Sequence, residues 1–285
     1  IQKLEIDGEL RKRLETFTKN NIILDPIENC VDRTIKRLDC LENDDPISHE
    51  EVASPGVYRI LLQYENLEFD EALRILLPHE VLPISSYSQM GHLVHFNLNE
   101  NALPFKETIG KVALDKINKA KTIVNKASTI NNAFRTFKLD VLAGEENFVT
   151  SVRENNVVFH FDFSKVYWNS RLGTEHSKIV EEIHNEILSN GHFRPVVFDA
   201  FCGIGPFSIP LARVKHVEHV HANDLNPDSV KWLSRNIEEN SSKKRPIENI
   251  SVYNLDGRKF IEKVGLILLY QNSKNFLPLI EIWDQ

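Results

Sequence analysis

A chain of 285 residues, 41% hydrophobic and 26% charged, has room for two or three domains with buried cores. Its formal net charge of −7 argues against a protein that coats nucleic acid indiscriminately, and no apolar run approaches the length of a membrane span. Cys30, Cys40 and Cys202 are too widely spaced for a zinc pattern or a disulfide framework, which points to a reducing compartment.

The sequence opens on Ile1, so the natural N-terminus is expected upstream and no targeting segment can be read. Residues 1–76 read as a small, mostly helical domain. "IDGELRKRLETF" and "SHEEVASPGVYRILLQYENLEFDEALRILL" carry apolar positions at three-to-four spacing, with Ser48 as an N-cap and Glu51 three residues on. Residues 77–165 read as an α+β module. A Pro-, Ser- and Gly-rich stretch precedes "HLVHFNL", which alternates as a strand does, and "KTIVNKA", "TFKLDVLAG" and "FVTSVRENNVVFHFDFSKVYW" are further strand-like runs. Between Leu103 and Lys138 eight Lys or Arg stand against Glu107 and Asp115. That is either a solvated lysine face or a docking surface for an anionic partner.

From residue 166 to 285 the pattern is α/β. "TEHSKIVEEIHNEILSNG" aligns Ile179, Val180, Ile183 and Ile187 on one helical face, with Thr174 as N-cap and Gly191 as the stop. "PVVFDAF", "HVHAND" and "ISVYNLD" are short strands. "GIGPFSIPLARV" turns into a helix, and "NPDSVKWLSRNIEEN" is a helix capped by Asn226 with Pro227 at its first position. Strands alternating with helices give a doubly wound parallel sheet.

In such a sheet the ligand lies beyond the C-terminal strand ends. These carry Asp199, Phe201 and the Gly203/Gly205 turn on one strand, Asp224 and Leu225 on the next, and Asp256 and Gly257 on the third. The glycines admit a close backbone approach, and a carboxylate on the adjacent strand can accept two ribose hydroxyls. A nicotinamide fingerprint would place glycine or alanine where Ser208 stands, and Asp199 ahead of the glycines would repel a pyrophosphate. An acid there tolerates a sulfonium cofactor with an amino-acid tail. Together with "NDLNP", this loop resembles the class I S-adenosylmethionine-dependent methyltransferases, with their Rossmann-like sheet.

Taken with "GHLVHFNL", "IGKVALDK", "TIVNK", "FRTFKLDVLAGEENFVTSVRENN", "FDFSKVYWNSRLGTEHSKIV" and "NLDGRKFI", the chain resembles the eukaryotic and archaeal tRNA (guanine-N1)-methyltransferases acting at guanosine 37, over about residues 75–262. The resemblance implies S-adenosyl-L-methionine as cofactor and tRNA bearing guanosine 37 as partner. It also implies a monomer without membrane attachment, in the cytoplasm and, among relatives, the nucleus and mitochondrial matrix. It makes residues 1–76 a tRNA-recognition domain and the middle module a tRNA contact. It places the general base at Glu175, the arginine that neutralises charge on O6 at Arg135, and pocket-shaping residues at Tyr167 and Arg171. Asp199, Phe201, Gly203, Gly205, Asp224, Leu225, Asp256 and Gly257 then hold the cofactor. The chemistry agrees: guanine N1 is protonated at neutral pH, so methylation needs a base and leaves negative charge on O6.

Structural readings stand beside these. Arg171 and Glu175 could form an i,i+4 surface ion pair, and Arg135 could pair with Asp140 or Glu145. Tyr167 and Trp168 could be core residues, His176 an exposed first-turn histidine, and Cys202 a small packing residue. The tail "GLILLYQNSKNFLPLIEIWDQ" departs from the family. It offers "GLILLY" as a buried strand but no Asn-Leu-Pro turn after it, which implies a truncated or divergent C-terminus and an incomplete sheet. Two other functions remain: a wybutosine-pathway aminocarboxypropyltransferase, and an inactive remnant that binds tRNA or cofactor.

Overall fold

The computed structural model describes residues 64–81, 83–84, 87–126, 134, 136–189, 191, 194–271 and 276–279. The expected N-cap at Ser48 and most of the N-terminal helical domain lie outside them. By compactness the chain divides into Ile1–Ile84 and Ser85–Gln285.

In the first unit a 3₁₀ turn at Tyr64–Asn66 leads into helix α1 (Phe69–Leu76). Phe69, Ala72, Leu73 and Leu76 are its buried positions, the spacing of one helical face. Glu68 and Glu71 form a reciprocal capping box that satisfies the first backbone N–H groups.

The second unit opens with β1 (Tyr87–Met90) and β2 (Leu93–Phe96), a hairpin turning at Gly91 with φ of +58°. β1 falls in the Ser- and Gly-rich stretch read as irregular, because Gly91 is a hairpin turn there and not a breaker. Helix α2 (Lys106–Lys116) carries the chain to β3 (Thr122–Lys126), parallel to β2, and β4 (Leu139–Gly144) returns antiparallel. The ribbon of β5 (Val149–Glu154) and β6 (Val157–Asp162) turns at Asn155 and Asn156, both with positive φ, as a two-residue hairpin of this twist requires. Along β6 and just beyond, Phe159, Phe161 and Phe163 alternate inward and are fully buried.

The α/β part then runs α3 (Gly173–Ser189), β7 (Val196–Asp199), α4 (Ser208–Ala212), β8 (His219–Asn223), α5 (Pro227–Asn240), β9 (Ile250–Tyr253), α6 (Gly257–Gln271) and β10 (Phe276–Leu279). The sheet order is β10-β7-β8-β9, parallel throughout, so the expected doubly wound architecture is present with four strands among the described residues. One core joins Leu93, Phe159, Phe161, Ile183, Val197, Val220 and Leu233, spanning the middle module and one sheet face. The other face packs Val196 and Phe198 against Phe260 and Val264 of α6.

Two expectations are corrected. Residues 265–270, read as a buried strand, continue α6, because a short apolar run is as good a helix as a strand. The strand comes later, from Phe276–Leu279, and pairs with β7. Helix α3 begins at Gly173, after a 3₁₀ turn at Ser170–Leu172 capped by Asn169 Oδ1, which accepts from the Arg171 N–H at 3.1 Å. Thr174 is therefore inside the helix, whose described residues run to Ser189, two positions before the expected Gly191 stop.

Two asparagines of α5 join the layers. Asn236 Oδ1 accepts from the His160 N–H (2.8 Å), and its Nδ2 donates to the carbonyls of His160 (3.2 Å) and Ile204 (3.3 Å). One turn on, Asn240 accepts from the Val158 N–H (2.9 Å) and donates to the Val158 carbonyl (2.8 Å). The amides thus satisfy the backbone along the outer edge of β6.

Candidate active site

β7 ends at Asp199, which is 1% exposed and accepts a 2.5 Å hydrogen bond from Ser208 Oγ. This carboxylate braces the start of α4 and is not part of the cavity wall. The chain then makes the glycine turn. Gly203 (φ +53°) and Gly205 (φ +99°) both adopt conformations that penalise a side chain. Their surroundings differ: a Cβ on Gly205 would meet Leu233 Cδ1 at 2.6 Å, whereas one on Gly203 would meet nothing within 4 Å.

The space beside Gly203 belongs to a cavity of about 400 Å³. It is lined by Phe201, Gly203, Asp224 and Leu225 from the loops after β7 and β8, and by Phe134, Tyr167, Trp168 and His176 from earlier in the chain. Phe201, Leu225 and Phe134 are 46%, 43% and 40% exposed. Large apolar side chains left bare inside one concave site are the mark of a ligand surface. Gly257 keeps Phe201 in place, since a Cβ there would stand 3.0 Å from its ring.

Asp224 is held from both sides. Its Oδ2 accepts from the Gly203 N–H at 2.9 Å and its Oδ1 from the Asn226 N–H at 2.8 Å. Burial raises its pKa above the ordinary carboxylate value, and the two backbone donors offset part of that rise. Beneath it, Asn223 is fully buried. Its amide donates to the carbonyls of Ala200 (3.0 Å) and Leu255 (3.1 Å) and accepts from the Leu255 N–H (2.9 Å), locking three strand ends together. Asp256 is exposed, caps α6 through the Arg258 N–H at 3.0 Å, and does not line the cavity.

Of the residues carried over for catalysis, Tyr167 lines the cavity with its ring 6.5 Å from that of Phe137. Arg171 and Glu175 are exposed and outside the cavity wall, and no ion pair joins them among the described residues. Arg135 lies outside the described residues, and Asp140 is paired with Lys106 at 2.7 Å. Arg171 stands instead close enough to Lys126 and to a neutral His95 to act on both. Burial first, then neighbouring charge, lowers the Lys126 pKa and holds His95 at about 4. Lys126 Nζ sits 4.3 Å from the Phe137 ring centroid.

Trp168 and His176 are among the wall residues that the sequence did not assign to the site. Trp168 is buried as expected of a core residue, stacked on Phe161 at 5.2 Å, and it also faces the cavity. His176 is not exposed: it is 5% accessible, and its Nδ1 is hydrogen-bonded to Glu154 Oε1. Glu154 lies on β5, 22 positions earlier, so no spacing rule announces the pair.

Residues 69–147 match the family model for the TYW2 N-terminal domain, and residues 150–279 match the one for the TRM5/TYW2 methyltransferase domain. The chain belongs to the TRM5/TYW2 methyltransferase family. A tRNA (guanine(37)-N(1))-methyltransferase of Xenopus tropicalis is 41% identical over 244 residues, which cover 85% of this chain and 45% of that protein. The chain therefore spans less than half the length of this relative. Among solved structures, the complex of aTrm5 and tRNALeu shares the fold with a TM-score of 0.59 at 22% identity, over 92% of this chain and 82% of that one. Methanocaldococcus jannaschii Trm5 in complex with adenosine gives 0.50 at 28% identity, over 67% and 53%.

Proposed function

We propose that this chain forms the cofactor- and base-binding part of an enzyme that methylates N1 of guanosine 37 in tRNA, using S-adenosyl-L-methionine. The observation that carries the reading is the cavity at Gly203: an open glycine beside bare Phe201 and Leu225, with Asp224 at the next strand end. These residues fit the cofactor. Phe201 and Leu225 suit the flat faces of a purine, Asp224 suits two ribose hydroxyls, and Gly203 leaves room beside the backbone. When bound, S-adenosylmethionine supplies an electrophilic methyl group on a sulfonium. The relative 41% identical to this chain, and the adenosine-bound Trm5, support the assignment.

In this reading the basic, aromatic middle module contacts tRNA, residues 1–76 help recognise it, and Tyr167 holds the unstacked guanine. Arg135 neutralises O6. The resemblance places the base at Glu175, which stands exposed on the first turn of α3. A monomer in a reducing compartment is the expected state.

The test is incubation with methyl-labelled S-adenosylmethionine and two transcripts, bearing guanosine or adenosine at position 37. Label in the guanosine transcript alone, recovered as 1-methylguanosine, is expected. The match of residues 69–147 to the TYW2 N-terminal domain favours a second reading, aminocarboxypropyl transfer, which the product mass separates from methylation. Tight tRNA binding without any product would identify an inactive remnant.

A further inference from the structure

We propose that Glu154 and His176 are positioning residues for the methyl-transfer step: they pin the first turn of α3 to the β5–β6 ribbon and so fix where Glu175, one position before His176, presents its carboxylate. The proposal rests on the methyl-transfer reading above, in which Glu175 is the base.

The start of α3 has little else to hold it. Of residues 173–180, His176 is the buried one, and the next buried positions, Ile183 and Ile187, lie about two and three turns further on. Glu175 is exposed, and no hydrogen bond or ion pair within the described residues restrains its carboxylate. Its direction is therefore set by the helical turn that carries it. His176, on that same turn, also forms part of the cavity wall.

The turn is placed from the ribbon. His176 Nδ1 is hydrogen-bonded to Glu154 Oε1, with side chains 6% and 13% exposed. Gly173 lets helix and ribbon close, since a Cβ there would stand 3.3 Å from Glu154 Oε2. Phe207 meets the imidazole edge-on at 4.8 Å and Trp168 lies at 6.1 Å, which confines the ring. The next residue repeats the contact: Ser177 Oγ stands 2.6 Å from Asn155 Oδ1 and 2.9 Å from the Gly173 carbonyl oxygen. Two consecutive residues of the ribbon thus meet two consecutive residues of the helix. The ribbon is itself fastened, by Asn236 and Asn240 along β6 and by Arg213 Nη1, which donates to the Asn156 carbonyl at 2.8 Å. A rigid support of this kind matters for a reacting group, because a misplacement of about 1 Å can cost about 10²-fold in rate.

Two readouts test this on the full chain. In single-turnover methylation of the guanosine-37 transcript at saturating tRNA and cofactor, Glu154→Ala should slow the chemical step about tenfold or more, with tRNA and S-adenosylhomocysteine affinities kept. Glu154→Gln, which retains an oxygen acceptor for Nδ1, should recover most of the rate. His176→Asn, whose amide nitrogen can stand in for Nδ1, should be faster than His176→Ala. Because the pair acts through Glu175, the effects should not add: in a Glu175→Gln background, Glu154→Ala should cost less than about twofold. Hydrogen exchange over residues 173–180 should quicken in Glu154→Ala and not in Glu154→Gln. A wild-type rate or unchanged exchange in Glu154→Ala overturns the proposal, as does full additivity with Glu175→Gln or a Glu154→Gln variant as slow as Glu154→Ala. A wild-type chain that labels no transcript would instead overturn the methyl-transfer reading, while the exchange comparison still tests the pinning of α3.

Discussion

Two glycines two residues apart should respond to the same substitution in different ways. Gly205→Ala places a methyl group 2.6 Å from Leu233 Cδ1 and 2.9 Å from Ile209 Cγ1, two fully buried side chains that must shift within the packed core. Overpacking of that kind costs about 1–3 kcal/mol, and the left-handed backbone at φ of +99° adds about 1–2 kcal/mol. The expected loss is about 2–5 kcal/mol, a large share of a typical domain's stability. Gly203→Ala meets no atom within 4 Å and carries only the backbone term of about 1–2 kcal/mol, but its methyl group projects where a ligand would lie. Urea unfolding should therefore separate the variants, with Gly205→Ala much the less stable. Calorimetric titration with S-adenosylhomocysteine should show Gly203→Ala binding at least tenfold more weakly than wild type at equal folded fraction. Wild-type affinity in Gly203→Ala would refute the cradle, and equal destabilisation of the two variants would refute the packing argument.

Asp224→Ala should weaken cofactor binding by about 10- to 100-fold, the worth of hydrogen bonds to a charged acceptor, as read by the same titration. Because burial raises the Asp224 pKa, wild-type affinity should begin to fall on acidification at a pH above the ordinary carboxylate range. His221 is neutral in the fold: burial first, and His219 second, hold its pKa at about 4 against an ordinary 6.5. The unfolded chain takes up that proton first, so stability should fall as pH drops from about 6.5 to about 4 and level off below. His221→Phe, whose ring can keep the stack on Phe198, should shallow that slope in pH-dependent melts, leaving the part owed to His95. Asn236→Ala strips partners from the His160 N–H and from the carbonyls of His160 and Ile204. A loss of about 2–4 kcal/mol is expected, with faster hydrogen exchange at His160.

The glycine turn, the three acids at strand ends and the Asn226-Pro227 helix start were legible because each is a local rule of backbone chemistry. Their partners were not. Asp199 also accepts from Ser208 and Asp256 caps α6, because an acid at a strand end serves a helix N-terminus as readily as a ligand. His176 looked like a surface residue because only its own helix was in view, and Glu154 arrives from another element. "GLILLY" could not be assigned from periodicity, since continuous apolar runs suit a buried strand and a buried helix alike. Trp168 shows a further limit: one side chain serves both the core and the cavity wall, and a sequence gives no means of dividing it.

The amides of Asn236 and Asn240 have a consequence for how the molecule is assembled. A two-stranded ribbon is marginal in water, and its free edge invites pairing with any extended chain. Here a helix acts as a surrogate third strand, offering carboxamides at one-turn intervals where a neighbouring backbone would offer peptide groups. The ribbon that carries Glu154 is thus closed without a sheet of its own, and it is fastened to the same helix whose first turn adjoins Asp224. Parts of the chain about 80 residues apart in sequence become one rigid jig, and the spacing between the Glu154–His176 pair and the strand-end carboxylate is set by that jig rather than by loop closure.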